Sequence, residues 1–163
     1  MRLYAKGHAR NESIDVRISD DQTSLAYAAG IFDGEGCIYA RIAMTKTGSM
    51  STFLSFRVAM CSESVIQWLH DQFGGEICVI PPSRTHKKTQ FVWQLRGRKI
   101  KSVAQALLPF LKEKYQRAKL ALTLVDLISQ NNYRRLDEIG IQERTVIANQ
   151  IKRFNRIGEV KES

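Results

Sequence analysis

Two stretches of the chain alternate between a wholly apolar and a mixed set of positions. In "CIYARIAMT" (37–45), Ile38, Ala40, Ile42 and Met44 fall on one side and Tyr39, Arg41, Ala43 and Thr45 on the other. In "FLSFRVAM" (53–60), Leu54, Phe56, Val58 and Met60 oppose Phe53, Ser55, Arg57 and Ala59. A period of two predicts half-buried strands, and "TKTGSMS" between them reads as a hairpin loop. "EICVI" (76–80) and "QFVWQLRG" (90–97) predict a second strand pair around the loop "PPSRTHKKT". In the last strand Phe91, Trp93 and Leu95 point one way, and Gln90, Val92, Gln94 and Arg96 the other.

Helical segments surround these pairs. "SDDQTSLAYAAGIF" opens with capping residues and turns helical at about Gln22. Ala26, Ala29, Gly30 and Asp33 follow helical spacing along it and form a stripe of small residues, while Leu25, Ile31 and Phe32 fall on other sides. A glycine inside a helix costs up to about 1 kcal/mol against alanine, so Gly30 suggests a close helix–helix seam. "SESVIQWLHDQFGG" (62–75) is a capped helix ended by glycines. Residues 99–129 are helical with an interruption at Pro109, and 136–154 reads as one or two charged helices. The order is α-β-β-α-β-β-α-α, an α+β chain with two antiparallel hairpins. One sheet face is apolar and expects a cover of helices. The other carries Tyr, Arg, Ser, Gln and Thr, and a polar face of this kind suits the major groove of DNA.

Composition narrows the function classes. The 163 residues suffice for one domain with a substantial core, and 44% are hydrophobic. No apolar run approaches the roughly 20 residues of a membrane span, and the first twenty residues do not resemble a secretory signal, so the sequence reads as a soluble protein of the cell interior. Cys37, Cys61 and Cys78 are an odd number without CxxC spacing; they argue against a disulfide framework or structural zinc and read as small half-buried strand residues. A net charge of +9 points to an anionic partner, most commonly nucleic acid. Residues 1–20 form an N-terminal extension in which "SIDVRIS" (13–19) alternates like a short strand, 21–130 the core, and 131–163 a C-terminal helical extension. His8 and His70 carry no catalytic signal.

"GIFDGEG" (30–36) sets Asp33 and Glu35 among three glycines where the first helix should stop. One glycine stops a helix; two carboxylates in the turn require another explanation. "LAYAAGIFDGEGCI" (25–38) resembles the LAGLIDADG motif of homing endonucleases, a helix of small residues ending in two interleaved acids. "LLPFLKEKYQRAKL" (107–120) is similar to a second family segment, and "FVWQLRGRKI" to the strand before it. The likeness spans about residues 22–125. It implies an α-β-β-α-β-β-α core with a curved four-stranded antiparallel sheet covered on one face by helices. One motif copy implies a homodimer in which Ala26, Ala29, Gly30 and Asp33 meet their counterparts.

The resemblance implies metal-assisted hydrolysis of DNA phosphodiester bonds in a long, nearly palindromic double-stranded target. Mg²⁺ or Mn²⁺ would serve as cofactor, with Ca²⁺ as a non-catalytic substitute. Glu35 aligns with the metal-binding acid, and the Gly36 carbonyl is a further candidate ligand. Asp33 aligns with the first acid, more often a structural group at the helix end. Lys114 aligns with a basic residue near the scissile phosphate, and Gln116 and Arg117 are weaker candidates for the same place. The family often has a polar residue toward the end of the second strand; Met60 stands there, with Ser62 and Glu63 close by. That departure keeps a second reading open, a non-cleaving DNA- or RNA-binding regulator or maturase on the same scaffold. Alternation offers Tyr39, Arg41, Thr45, Ser55, Arg57, Gln90, Gln94 and Arg96 as base readers. Lys46, Arg84, His86, Lys87 and Lys88 in the loops suit phosphates. The implied partners are duplex DNA and a second copy of the chain.

Overall fold

In a computed structural model of the protein, residues 21–85, 87–130 and 136–157 are described. The expected strand at 13–19, the whole 1–20 extension and His86 lie outside them. Helix α1 (Gln22–Glu35) starts at Asp21, whose carboxylate accepts the backbone N–H groups of Thr23 and Ser24 at 3.2 and 3.0 Å. This is the capping expected of an aspartate just before a helix. Strands β1 (Gly36–Met44) and β2 (Met50–Met60) follow, then α2 (Glu63–Phe73), β3 (Glu76–Ile80) and β4 (Gln90–Arg96). Helix α3 (Lys99–Leu107) gives way to a 3-10 turn at Leu108–Phe110, then α4 (Tyr115–Gln130) and α5 (Glu138–Ile157). Pro109 sits in the 3-10 turn, where the missing N–H ends α3.

The four strands form one antiparallel sheet in the order β1-β2-β4-β3. The register places Ile38 opposite Phe56 and Phe56 opposite Leu95 on the inner face. These three pack with Val58 and Trp93 of the sheet and with Leu25, Ala28 and Phe32 of α1 in a core that α2, α3, α4 and α5 complete. Burying each large apolar side chain is worth about 1.5–3 kcal/mol, so the one-sided pattern fixes which face the helices cover. The second hairpin is pinned at its start: Gly74 and Gly75 take φ of 64° and 100°, and Trp93 Nε1–H donates to the Gly74 carbonyl at 2.7 Å.

Three expectations change. Gly36 does not end α1 in a left-handed turn; its φ is −76° and the chain passes straight into β1. Its glycine answers to proximity, because a Cβ there would lie 2.6 Å from the Phe32 ring. A Gly36→Ala variant is expected to lose about 1–3 kcal/mol of unfolding free energy through overpacking, measurable by urea denaturation. The C-terminal helix is not a separate unit either: Ala148 and Ile151 of α5 belong to the same buried core as the sheet. Finally, the three cysteines are exposed rather than half-buried. Cys37 and Cys78 fall on the outer face because the register pairs them with Arg57 and Val92. Among the described residues no helix is long and apolar enough to cross a membrane.

Candidate metal and nucleic-acid site

The last turn of α1 gives its two acids different environments. Both oxygens of Asp33 accept backbone amides from the loop before α4: Oδ2 from Lys112 N at 2.7 Å and Oδ1 from Lys114 N at 2.9 Å. The Lys114 ammonium in turn donates to the Asp33 carbonyl, one of the carbonyls a helix C-terminus leaves without an internal partner. Asp33 and Lys114 therefore lock the α1 terminus to the loop entering α4. This assigns Asp33 a structural position, as its place in the motif suggested, and makes a direct role at a cation or in the seam unnecessary to explain it.

Glu35 lies one residue before the strand, exposed, and its carboxylate takes no hydrogen bond among the described residues. It borders a shallow hollow of about 520 Å³ with Ala26, Tyr27, Gly30, Ile31, Gly34 and Met60. Behind the acids two cations are buried. Lys114 and Arg117 are each 6% exposed. Arg117 Nη2 donates to the Glu113 carbonyl at 3.2 Å and approaches the Glu113 carboxylate at 3.4 Å. Burial first, then the neighbouring Arg117 charge, holds the Lys114 ammonium below its ordinary pKa, while Asp33 and Glu113 oppose the shift. Positive charge is thus held out of water beside Asp33 and Glu113. Gln116 is exposed.

The donor set permits a test for a divalent cation. Mg²⁺ takes oxygen ligands in a near-octahedral shell. Glu35 and the Gly36 carbonyl are oxygen donors of the right kind, but among the described residues of one protomer no group of three or more metal-binding side chains occurs. Glu35 and Gly36 therefore supply fewer oxygen donors than such a shell takes.

The α1 stripe is also revised. Ala29 is fully buried in its own core and cannot meet a partner. Ala26, Gly30 and Gly34, at spacing i, i+4, are exposed, with Tyr27 alongside at 52% exposure. The Tyr27 ring rests edge-on against Trp68 of α2 with centroids 5.1 Å apart. A Cβ built on Gly30 or Gly34 would meet nothing within 4 Å. Among the described residues no packing accounts for either glycine. The exposed small residues of α1 are thus Ala26, Gly30 and Gly34, and Ala29 is not among them.

The outer sheet face assembles most of the expected readers. Tyr39 lies opposite Ser55 and Ser55 opposite Arg96; Arg57 lies between Cys37 and Gln94. Arg57 is exposed and Gln90 half-buried. Arg96 donates to Gln94 Oε1 at 2.9 Å and reaches Glu76 at 3.8 Å. Arg41 stacks over Phe53, 5.0 Å from the ring centroid. Two candidates are corrected. Ser55 is only 8% exposed, flanked on both sides by larger neighbours. The Thr45 hydroxyl lies in the hairpin turn, bonded to Thr47 and Ser49 at 2.8 and 2.9 Å. Lys46, Arg84, Lys87 and Lys88 are exposed in the loops. Phe53, 40% exposed beside Arg41, joins this face although its sequence position suggested only alternation.

No protein-family model and no curated protein sequence matches the chain. Solved structures do. The homing endonuclease I-CvuI, in complex with a DNA target, superposes with a TM-score of 0.68 at 19% identity, covering 88% of this chain and 87% of its own. The archaeal intron-encoded homing endonuclease I-Vdi141I, complexed with DNA, gives 0.70 at 13% identity, covering 86% and 89%. For the LAGLIDADG homing endonuclease I-LtrWI, bound to target DNA, the TM-score is 0.58 at 18% identity, and the match covers 85% of this chain but 46% of that one. The motif at the end of α1, the sheet order and these superpositions agree: the chain has the fold of the LAGLIDADG homing endonucleases.

Proposed function

We propose that the protein is a homodimeric, site-specific DNA endonuclease that uses a divalent cation. The observation that carries this reading is the exposed Glu35 carboxylate, without a hydrogen bond among the described residues, at the end of a bare helix stripe. A second copy packed along Ala26, Gly30 and Gly34 brings two Glu35 groups to the twofold axis, an isologous arrangement. The match to nearly all of I-CvuI and to about half of I-LtrWI supports treating this chain as one of two equivalent halves.

Glu35 and Gly36 of each copy would hold the cation. When bound, Mg²⁺ or Mn²⁺ supplies the charge that offsets two facing carboxylates and polarises the phosphodiester. The protein's own contributions are distinct. Asp33 keeps the loop at 112–114 against α1, and Lys114 and Arg117 offset the negative charge that develops on the phosphate. Arg41, Arg57, Gln94 and Arg96 face base edges, where arginine suits guanine and glutamine suits adenine. A duplex enriched by the protein from a randomised pool tests the reading: it should be cut with Mg²⁺ and left intact with EDTA.

Met60 favours a second reading. It lines the hollow beside Glu35 with an apolar side chain where a polar group could order water. A non-cleaving regulator or maturase would bind the enriched duplex without metal and never cut it. Both readings predict strong salt dependence. With six to ten phosphate contacts, affinity should fall on the order of a thousandfold or more between about 50 and 200 mM salt. A flat dependence in filter binding would remove the basic surface from either account.

A further inference from the structure

β1 is an edge strand of the sheet, so its outer backbone groups have no strand partner. Near the end of α5, Asn155 supplies one: its Nδ2–H donates to the Ile38 carbonyl at 2.8 Å. The same amide faces the buried cations, since its Oδ1 accepts from Arg117 Nη1 at 3.4 Å. Arg117 also holds the carbonyl and carboxylate of Glu113, the residue before Lys114. One side chain thus ties together β1 two residues beyond Gly36, the guanidinium of Arg117 and the loop that carries Lys114. We propose that Asn155 is a positioning residue for phosphodiester cleavage, holding the Arg117 guanidinium beside Lys114 so that both charges face the scissile phosphate.

The amide is suited to this work in a way a carboxylate is not. Two neighbouring buried cations repel, and the Asn155 amide oxygen gives the Arg117 guanidinium an acceptor on the α5 side as well as the half-exposed Glu113 carboxylate. Asparagine accepts the hydrogen bond while leaving the positive charge undiminished. Aspartate would accept it and offset the charge the phosphate needs. The role lies in the C-terminal helix, beyond the part of the chain that carries the motif resemblance.

The inference rests on the endonuclease reading, and one set of measurements separates the two. Single-turnover cleavage of the enriched duplex in Mg²⁺ is compared for wild type, Asn155→Ala, Arg117→Gln and the double variant, with binding in Ca²⁺ and thermal midpoints alongside. Asn155→Ala is expected to slow cleavage about tenfold or more while leaving duplex affinity within about threefold, a change under 1 kcal/mol. In the Arg117→Gln background the same substitution should have no further effect. Asn155→Asp, which retains an acceptor for Arg117 but loses the donor to the Ile38 carbonyl, should lower the thermal midpoint and slow cleavage as well. Equal losses in both backgrounds, a wild-type rate for Asn155→Asp, or a lowered midpoint with an unchanged rate would overturn the assignment and leave only an edge cap. If the wild-type protein cuts nothing, the endonuclease reading falls and takes this inference with it.

Discussion

Glu35→Gln is expected to abolish cleavage while leaving DNA binding intact. The substitution keeps the size of the side chain and removes one negative charge from each copy. In the folded protomer that carboxylate is exposed and takes no hydrogen bond among the described residues, so no structural bond is lost. What disappears is an anionic oxygen for the cation, and the rate should fall on the order of a thousandfold or more, as for other groups acting in a transition state. Duplex affinity in Ca²⁺ should stay level or rise, because the DNA then meets less negative charge. A Glu35→Gln protein that cuts at the wild-type rate would remove the acid from the mechanism. Asp33→Asn makes the contrast: it weakens two backbone hydrogen bonds, so its main effect should be a lower thermal midpoint.

Gly30→Leu is expected to turn the protein into a monomer that no longer cleaves. Glycine in a helix interior costs about 1 kcal/mol against alanine. Around Gly30 the protomer leaves space empty, with no atom within 4 Å of an added Cβ. The fold of one chain therefore tolerates the larger side chain, and circular dichroism should be unchanged. In a backbone-to-backbone seam the same group costs about 1–3 kcal/mol. Twofold symmetry counts it twice, so the dimer dissociation constant should rise about a hundredfold. Sedimentation velocity at micromolar concentration reads this directly. A Gly30→Leu protein that sediments as a dimer would place the partner elsewhere, and with it the pairing of the two Glu35 groups.

Much of this was legible in the amino-acid pattern. Alternation in 37–45 and 53–60 located β1 and β2, and the register puts Tyr39, Ser55 and Arg96 in one row as the alternation required. Asp21 announced the start of α1 and Pro109 the end of α3. These signals are local: a period of two, a cap or a missing N–H acts over a few residues. On α1, helical spacing gives a side of the helix but not which small residue the core claims. Ala29 went inward and Gly34 took its place.

The sequence by itself determined the element order, the apolar face of the sheet, the pair of acids at the end of α1 and the basic excess. Tertiary structure alone decided the surroundings of those acids. Asp33 is bound to the amides of residues about eighty positions away, whereas Glu35 takes no hydrogen bond among the described residues. It also decided that Gly36 answers to the Phe32 ring, that Thr45 serves its own turn, and that Asn155 reaches both Ile38 and Arg117. The physical reason is range. Periodicity and capping depend on neighbours along the chain, whereas the role of a polar side chain depends on which distant backbone groups the packed core leaves within hydrogen-bonding distance.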